Sequence, residues 1–273
     1  YPHLFGNMSN TNAIKEFCKE KNITFIEDAC QSLGSSYNGA VAGTIGDIST
    51  LSFNANKVVA GISGGGAIIT DGDTEIFKKL RKHGNNEILG YNSKMLLFNA
   101  EVINYRLNKL DSYIERRQEI AKQYDEALKD YVIVQPNTGG HNYHKYVIRL
   151  QNKKLRDKLK DKLGAKVHYE NPISENKMYN NIEHRKDITY VSKIVSDTVL
   201  TLPLHPYMTQ SEIDTIINTI LIVLEQDNDK FVENMKKIIG DDLFDKSLIN
   251  ETTEDIYDHI VEKTYQSPEF IEI

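Results

Sequence analysis

Cysteine is nearly absent from this chain of 273 residues: Cys18 and Cys30 are the only two. Two thiols build neither a disulfide framework nor a zinc site by themselves, and they suit a reducing, cytoplasmic setting. A basic excess is missing too. The 33 Lys and Arg are outnumbered by 39 Asp and Glu, giving a net charge of -6. A general nucleic-acid binder would carry the opposite balance, so binding to polyphosphate backbones is disfavoured. No apolar run approaches the roughly 18 residues that span a bilayer. The opening Tyr1-Pro2-His3-Leu4-Phe5 has neither the basic start nor the apolar stretch of a signal peptide. What remains is 40% hydrophobic and 26% charged, an ordinary globular composition. The chain begins at Tyr1, in what reads as a loop leading into a helix and a central strand, so an upstream segment is expected.

Periodicity predicts a helix over Thr11–Lys21, with Ile14, Phe17 and Cys18 on one face and Ser9, Asn10 or Thr11 as the N-cap. A short apolar run, Thr24–Glu27, ends in two acids, as a buried parallel strand does when it delivers polar groups at its C-terminal end. Strands are predicted at Ile48–Phe53 and Gly66–Thr70, and a basic helix at Glu75–His83. Phe98–Leu128 reads as one long connecting helix with Glu115-Arg116-Arg117 on a solvated face. Beyond the loop Gln135–Gly140, strands are predicted at Tyr143–Leu150, Lys166–Tyr169 and Val199–Leu202. Helices are predicted at Lys153–Leu163, Asp187–Thr198 and Gln210–Leu224. The tail is acidic and amide-rich, with weak helical patterns around Phe231-Met235-Ile238 and Ile256–Ile260. The domains expected are 1–97, a connector over 98–130, a small α+β domain over 131–226 and an extension over 227–273.

Two stretches could carry chemistry. In Glu27-Asp28-Ala29-Cys30-Gln31-Ser32, a strand-end carboxylate needs a positive partner such as a pyridinium nitrogen, and a helix N-cap or a structural ion pair would account for it as well. In Ser52-Phe53-Asn54-Ala55-Asn56-Lys57, a lysine follows a strand and precedes Gly61-Ile62-Ser63-Gly64-Gly65-Gly66. A lysine beside a carboxylate-bound pyridine ring can form a Schiff base, and backbone amides with a serine hydroxyl suit a phosphate. The glycine run is neither a P-loop nor a dinucleotide fingerprint, and an ordinary turn between two strands would look similar. Cys30 reads as a small buried residue rather than a nucleophile. His141, His144 and His168 have no compact metal spacing and read as residues at a cleft edge.

These stretches, with Gly43-Thr44-Ile45-Gly46-Asp47-Ile48 between them and Gly90-Tyr91-Asn92-Ser93-Lys94-Met95 after them, follow one another in order. Arg116-Arg117, His141-Asn142-Tyr143-His144, His168-Tyr169 and Leu202-Pro203-Leu204-His205-Pro206 extend the series. Together they resemble the DegT/DnrJ/EryC1/StrS sugar aminotransferases, over about residues 1 to 225. The resemblance implies the type I aspartate-aminotransferase fold: an α/β chain holding the C-terminal part of the large-domain sheet, a connecting helix and a smaller α+β domain. It implies pyridoxal phosphate held by Lys57 as the Schiff-base lysine. Asp28 faces the pyridine nitrogen, Gln31 lies by the ring, Ser52 binds the phosphate, and Asn92 reaches the phosphate of a neighbouring subunit in a homodimer. The implied reaction moves an amino group, from glutamate, to a keto group of a nucleotide-linked sugar for surface-glycan synthesis. Related dehydratases carry histidine where Lys57 stands. Lys94 replaces a frequent arginine, and the family's front, with its phosphate-cradling turn, is not in this chain. A truncated, non-catalytic relative acting in assembly is the alternative.

Overall fold

The computed structural model describes residues 1–8, 11–179, 181–182 and 189–239, the last eleven by backbone alone. Residues Tyr1–Ile220 form one compact unit and Leu221–Ile273 a second. Ser9 and Asn10, two of the predicted N-caps, and the pattern at Ile256–Ile260 lie outside the described residues.

The first layer is a mixed sheet. Strand β1 (Ile26–Asp28) pairs in parallel with β4 (Ile48–Ser52), which pairs antiparallel with β5 (Gly66–Ile69). Tyr1–His3 runs along the free side of β1: Pro2 bridges Asp28, and the Asp28 amide donates to the Tyr1 carbonyl at 2.9 Å. Helix α1 (Thr11–Glu20) packs Ile14 and Cys18 on a core of Met8, Phe25, Ala29, Ala42 and Ile45, whereas Phe17, expected on the same face, is exposed. Between β1 and β4 sits a two-residue hairpin of β2 (Ser36–Tyr37) and β3 (Ala40–Val41). Its turn, Asn38-Gly39, has positive φ at both positions, the conformation that asparagine and glycine reach most readily. The basic helix α2 is shorter than predicted, Glu75–Leu80.

The single connecting helix expected over Phe98–Leu128 is two. Helix α3 (Leu97–Leu107) ends at Asn108, and α4 (Leu110–Leu128) restarts after Lys109, whose φ of -110° and ψ of 4° leave the helical path. Asparagine is a weak helix former, and Asp111 and Ser112 favour a new helix start; Ser112 Oγ donates back to the Lys109 carbonyl at 2.8 Å. Helix α3 closes a second core, where Ile103 meets Phe53 and Val59.

A second sheet follows, antiparallel, in the order β6 (Ile133–Val134), β7 (Tyr146–Arg149), β8 (Val199–Leu202). Helix α4 packs on it through Tyr124, whose ring lies 5.0 Å from that of Tyr146. The strand expected at Lys166–Tyr169 is not formed; Lys166 alone bridges Thr201 before the chain leaves the sheet. Helix α5 (Lys153–Leu163) matches its predicted span, and α6 covers Tyr190–Thr198. The start predicted for α6, Asp187, lies outside the described residues. Helix α7 (Gln210–Ile239) runs past the predicted end at Leu224 and takes in the pattern around Phe231.

Candidate active site

The two acids at the end of β1 part ways because neighbouring residues on a strand face opposite sides. Glu27 is fully buried. Its Oε1 accepts from His3 Nε2 (3.0 Å) and the Gly43 amide (2.7 Å). Its Oε2 accepts from the Ile45 and Gly46 amides (3.0 and 3.2 Å) and Ser49 Oγ (2.7 Å). Burial works to raise its pKa, but the bonds from His3, Gly43, Ser49 and Ile45 outweigh it and bring the group down to about 2. Gly46 is required here, since a Cβ would sit 2.9 Å from both the Glu27 Cβ and its amide nitrogen. Glu27 is therefore the structural member of the pair.

Asp28 points the other way and is exposed. Its Oδ1 accepts from the Cys30 amide at 3.1 Å. Partial burial pushes its carboxyl up, yet the bonds from Cys30 and the charge of Lys57 hold it below its ordinary value. It is an ionised carboxylate within electrostatic reach of Lys57.

Lys57 stands just beyond β4, in a turn where its amide donates to the Asn54 carbonyl at 3.0 Å. It is half-buried and lines one small cavity with Cys30, Gln31, Leu33, Ser52, Val58, Val59 and His144. Three of the five predicted residues, Gln31, Ser52 and Lys57, thus share one cavity, with Asp28 beside it. Asn92 is not part of this lining. It is exposed, in a loop that bridges back to Lys82. The glycine run is not part of the lining either. Gly64 and Gly65 carry φ of 77° and 131° in the turn from β4 to β5, and Asn99 Nδ2 donates to the Gly64 carbonyl at 2.7 Å. A Cβ on Gly65 would meet Met95 Cε at 2.6 Å. These glycines serve the turn and its packing.

Gln31 is held at both ends. Its Oε1 accepts from the Phe5 amide (2.8 Å) and its Nε2 donates to Tyr169 Oη (3.1 Å). Tyr169 in turn stacks on Phe5, ring centroids 6.4 Å apart. Asn142 donates through Nδ2 to the Gln31 and Leu33 carbonyls (3.1 and 2.9 Å), and its Oδ1 accepts from the His144 amide (2.8 Å). Gly6 makes room for it: a Cβ there would lie 1.8 Å from Asn142 Oδ1.

His144 is buried, and no protein group bonds its Nδ1 among the described residues. Burial, then the charges of Lys145 and Lys57, lower its pKa to about 3, so it is a neutral imidazole at the cavity wall. Cys30 is half-buried rather than buried. Burial and Asp28 push its thiol up, so it stays protonated, and its Sγ lies 3.6 Å from Thr50 Oγ1.

Sequence reasoning missed Tyr169 as the partner of Gln31, because nothing in a strand-like pattern announces a contact across 138 residues. Arg117 departs from its expected place. It was expected on a solvated face but is buried, and its Nη1 donates to the Tyr143 and Leu204 carbonyls at 2.9 and 3.1 Å. Arg116 Nη2 donates to the Met208 carbonyl and Tyr124 Oη to that of Pro203. The arginine pair thereby ties α4 to the loops around β7 and β8, and desolvation lowers the Arg117 pKa to about 10.

The family model for the DegT/DnrJ/EryC1/StrS aminotransferase family matches residues 1–221. The chain is 28% identical to the pleiotropic regulatory protein of Geobacillus stearothermophilus, covering 80% of this chain and 63% of that one. It is also 28% identical to dTDP-3-amino-3,6-dideoxy-alpha-D-galactopyranose transaminase of Aneurinibacillus thermoaerophilus, with the same coverage. The chain thus spans about 63% of the length of these relatives. Among solved structures, an aminotransferase of this family from Brucella abortus superposes with a TM-score of 0.74 at 29% identity, over 80% of this chain and 62% of that one. DesV from S. venezuelae, in complex with a ketimine intermediate, gives 0.76 at 25% identity, over 82% and 64%. Matched over its first 221 residues and sharing this fold, the chain belongs to the DegT/DnrJ/EryC1/StrS aminotransferase family.

Proposed function

We propose that the protein is a pyridoxal-phosphate-dependent aminotransferase acting on a nucleotide-linked keto-sugar, with glutamate as donor and a homodimer as the working unit. The observation that carries this reading is the sharing of one cavity by Lys57, Gln31 and Ser52, with the ionised Asp28 alongside. Relatives named as dTDP- and UDP-sugar aminotransferases support the substrate class, and a solved neighbour holding the PMP cofactor form supports the cofactor.

The donor set fits the cofactor. An amine, an amide and a hydroxyl meet at a cavity whose other walls include Leu33, Val58 and Val59, with the anionic Asp28 beside it. Lys57 would hold the cofactor, Asp28 face its ring nitrogen, Gln31 lie by its ring, and Ser52 take its phosphate, with Asn92 supplied across the dimer. When bound, it supplies an electron sink that stabilises negative charge at the carbon losing a proton. Lys57 Nζ moves that proton, first from the donor's α-carbon and later to the sugar carbon that gains nitrogen. Asp28, as an anion, keeps a proton on the atom it faces. The apolar walls limit water at the lysine. Cys30 has no step, since its protonated thiol is a poor nucleophile.

Supplying the full-length protein with cofactor, glutamate and a nucleotide-linked keto-sugar tests the reading. Formation of 2-oxoglutarate that Lys57→Arg abolishes is expected. Turnover indifferent to that substitution would contradict it. An assembly protein without catalysis would give neither turnover nor cofactor binding.

A further inference from the structure

Among the described residues, two lysines near the cavity, Lys145 and Lys166, have no carboxylate within ion-pair distance. Lys145 follows His144 into β7, and its amide donates to the Phe5 carbonyl at 3.1 Å. Lys166 lies on the opposite flank of β8. It bridges Thr201, whose amide donates to the Lys166 carbonyl at 2.8 Å, while Val147 pairs with Thr201 from the β7 side. His168 Nδ1 meets Thr201 Oγ1 at 2.8 Å, and the next residue, Tyr169, takes the bond from Gln31. The segments carrying both lysines are thus fastened to the residues around Lys57.

Their charges act on one another. Burial, then Arg117, Lys166 and Lys57, hold the Lys145 ammonium below its ordinary value. Lys145 and Lys166 likewise hold His168 down, after burial. Among the described residues no carboxylate lies within ion-pair distance of Lys145 or Lys166, and the nearby Glu170 is engaged by Lys160 at 3.6 Å. Cations gathered without an anion destabilise a fold, and an anionic ligand relieves that cost.

We propose that Lys145 and Lys166 form an oxyanion subsite beside Lys57, which takes either a carboxylate of the amino donor or the diphosphate of the nucleotide sugar. The inference rests on the proposed function for the identity of those ligands. Selection by such a subsite is electrostatic rather than shape-based, so binding weakens as salt rises.

The test titrates glutarate and inorganic pyrophosphate separately into the cofactor-loaded full-length protein by calorimetry, at low and high salt. Lys166→Gln, at an exposed position, and the double variant with Lys145→Gln are compared with the unaltered protein. At least one anion is expected to bind in a salt-sensitive way and to lose about tenfold or more in affinity in the double variant. Loss confined to glutarate assigns the donor carboxylate; loss confined to pyrophosphate assigns the diphosphate. Equal affinities in all proteins, or no binding of either anion to the unaltered protein, would overturn the proposal. Borohydride labelling of Lys57 in the same samples separates the two readings: a labelled Lys57 with unchanged anion binding sinks the subsite alone, and an unlabelled Lys57 sinks the proposed function.

Discussion

At the scale of single residues, Glu27 and Asp28 show how one strand sends two neighbouring carboxylates into opposite surroundings, one buried and one exposed. Glu27 titrates near 2 in the folded chain, against an ordinary 4.5. A depressed folded pKa contributes stability above the unfolded value that is lost as pH falls through the folded one. The expected loss is about 3 kcal/mol between pH 4.5 and 2, read from denaturant midpoints across that window. Glu27→Gln flattens that dependence, and it also sets an amide NH2 against the donors around Gly43 and Ser49. Asp28→Asn has a different expected signature: the fold is kept while kcat falls about 100-fold or more. An Asp28→Asn enzyme with unchanged kcat would remove Asp28 from the mechanism. Both carboxylates were legible as chemistry-bearing in the sequence, but their division of labour was not. It depends on His3 and three backbone amides from the loop after β3, contacts 16 to 24 residues away.

At the scale of elements, local signals were read where local physics decides. Helix α5 keeps its predicted bounds because Asn152 Oδ1 accepts from the Leu155 amide at 2.9 Å and Gly164 closes the helix with a φ of 57°. Asn152→Ala is expected to cost about 1 kcal/mol in thermal or chemical unfolding, the ordinary worth of such a cap. No change would mean that tertiary packing alone holds the helix. The break between α3 and α4 was missed because apolar periodicity persists across Asn108-Lys109 while the backbone does not. The arginines were misread because helical charge normally faces water, whereas Arg117 is drawn inward by two carbonyls from the loops that flank β7 and β8. Arg117→Ala is expected to destabilise the fold by about 3 kcal/mol, since it strips those carbonyls of their donor inside the protein. Arg117→Lys should recover only part of that loss, because one ammonium lacks the planar fork.

At the scale of the whole molecule, the motifs singled out in the sequence sort into two groups. Gln31, Ser52, Lys57 and His144 come to one cavity. Arg117, Asn142 and Leu204 instead belong to the hydrogen bonds that hold the second sheet against the first layer and α4. Ordered motifs identified the family, but which of them touch the cavity required the fold. Asn92 lies apart from the cavity in the single chain. The central claim is that Lys57 holds the cofactor, and one measurement addresses it directly. The full-length protein is incubated with pyridoxal phosphate, reduced with borohydride, digested, and the modified residue located by mass spectrometry. A single stable adduct on Lys57, absent from Lys57→Arg, is the expected result; an unmodified Lys57, or an adduct on another lysine, would contradict it.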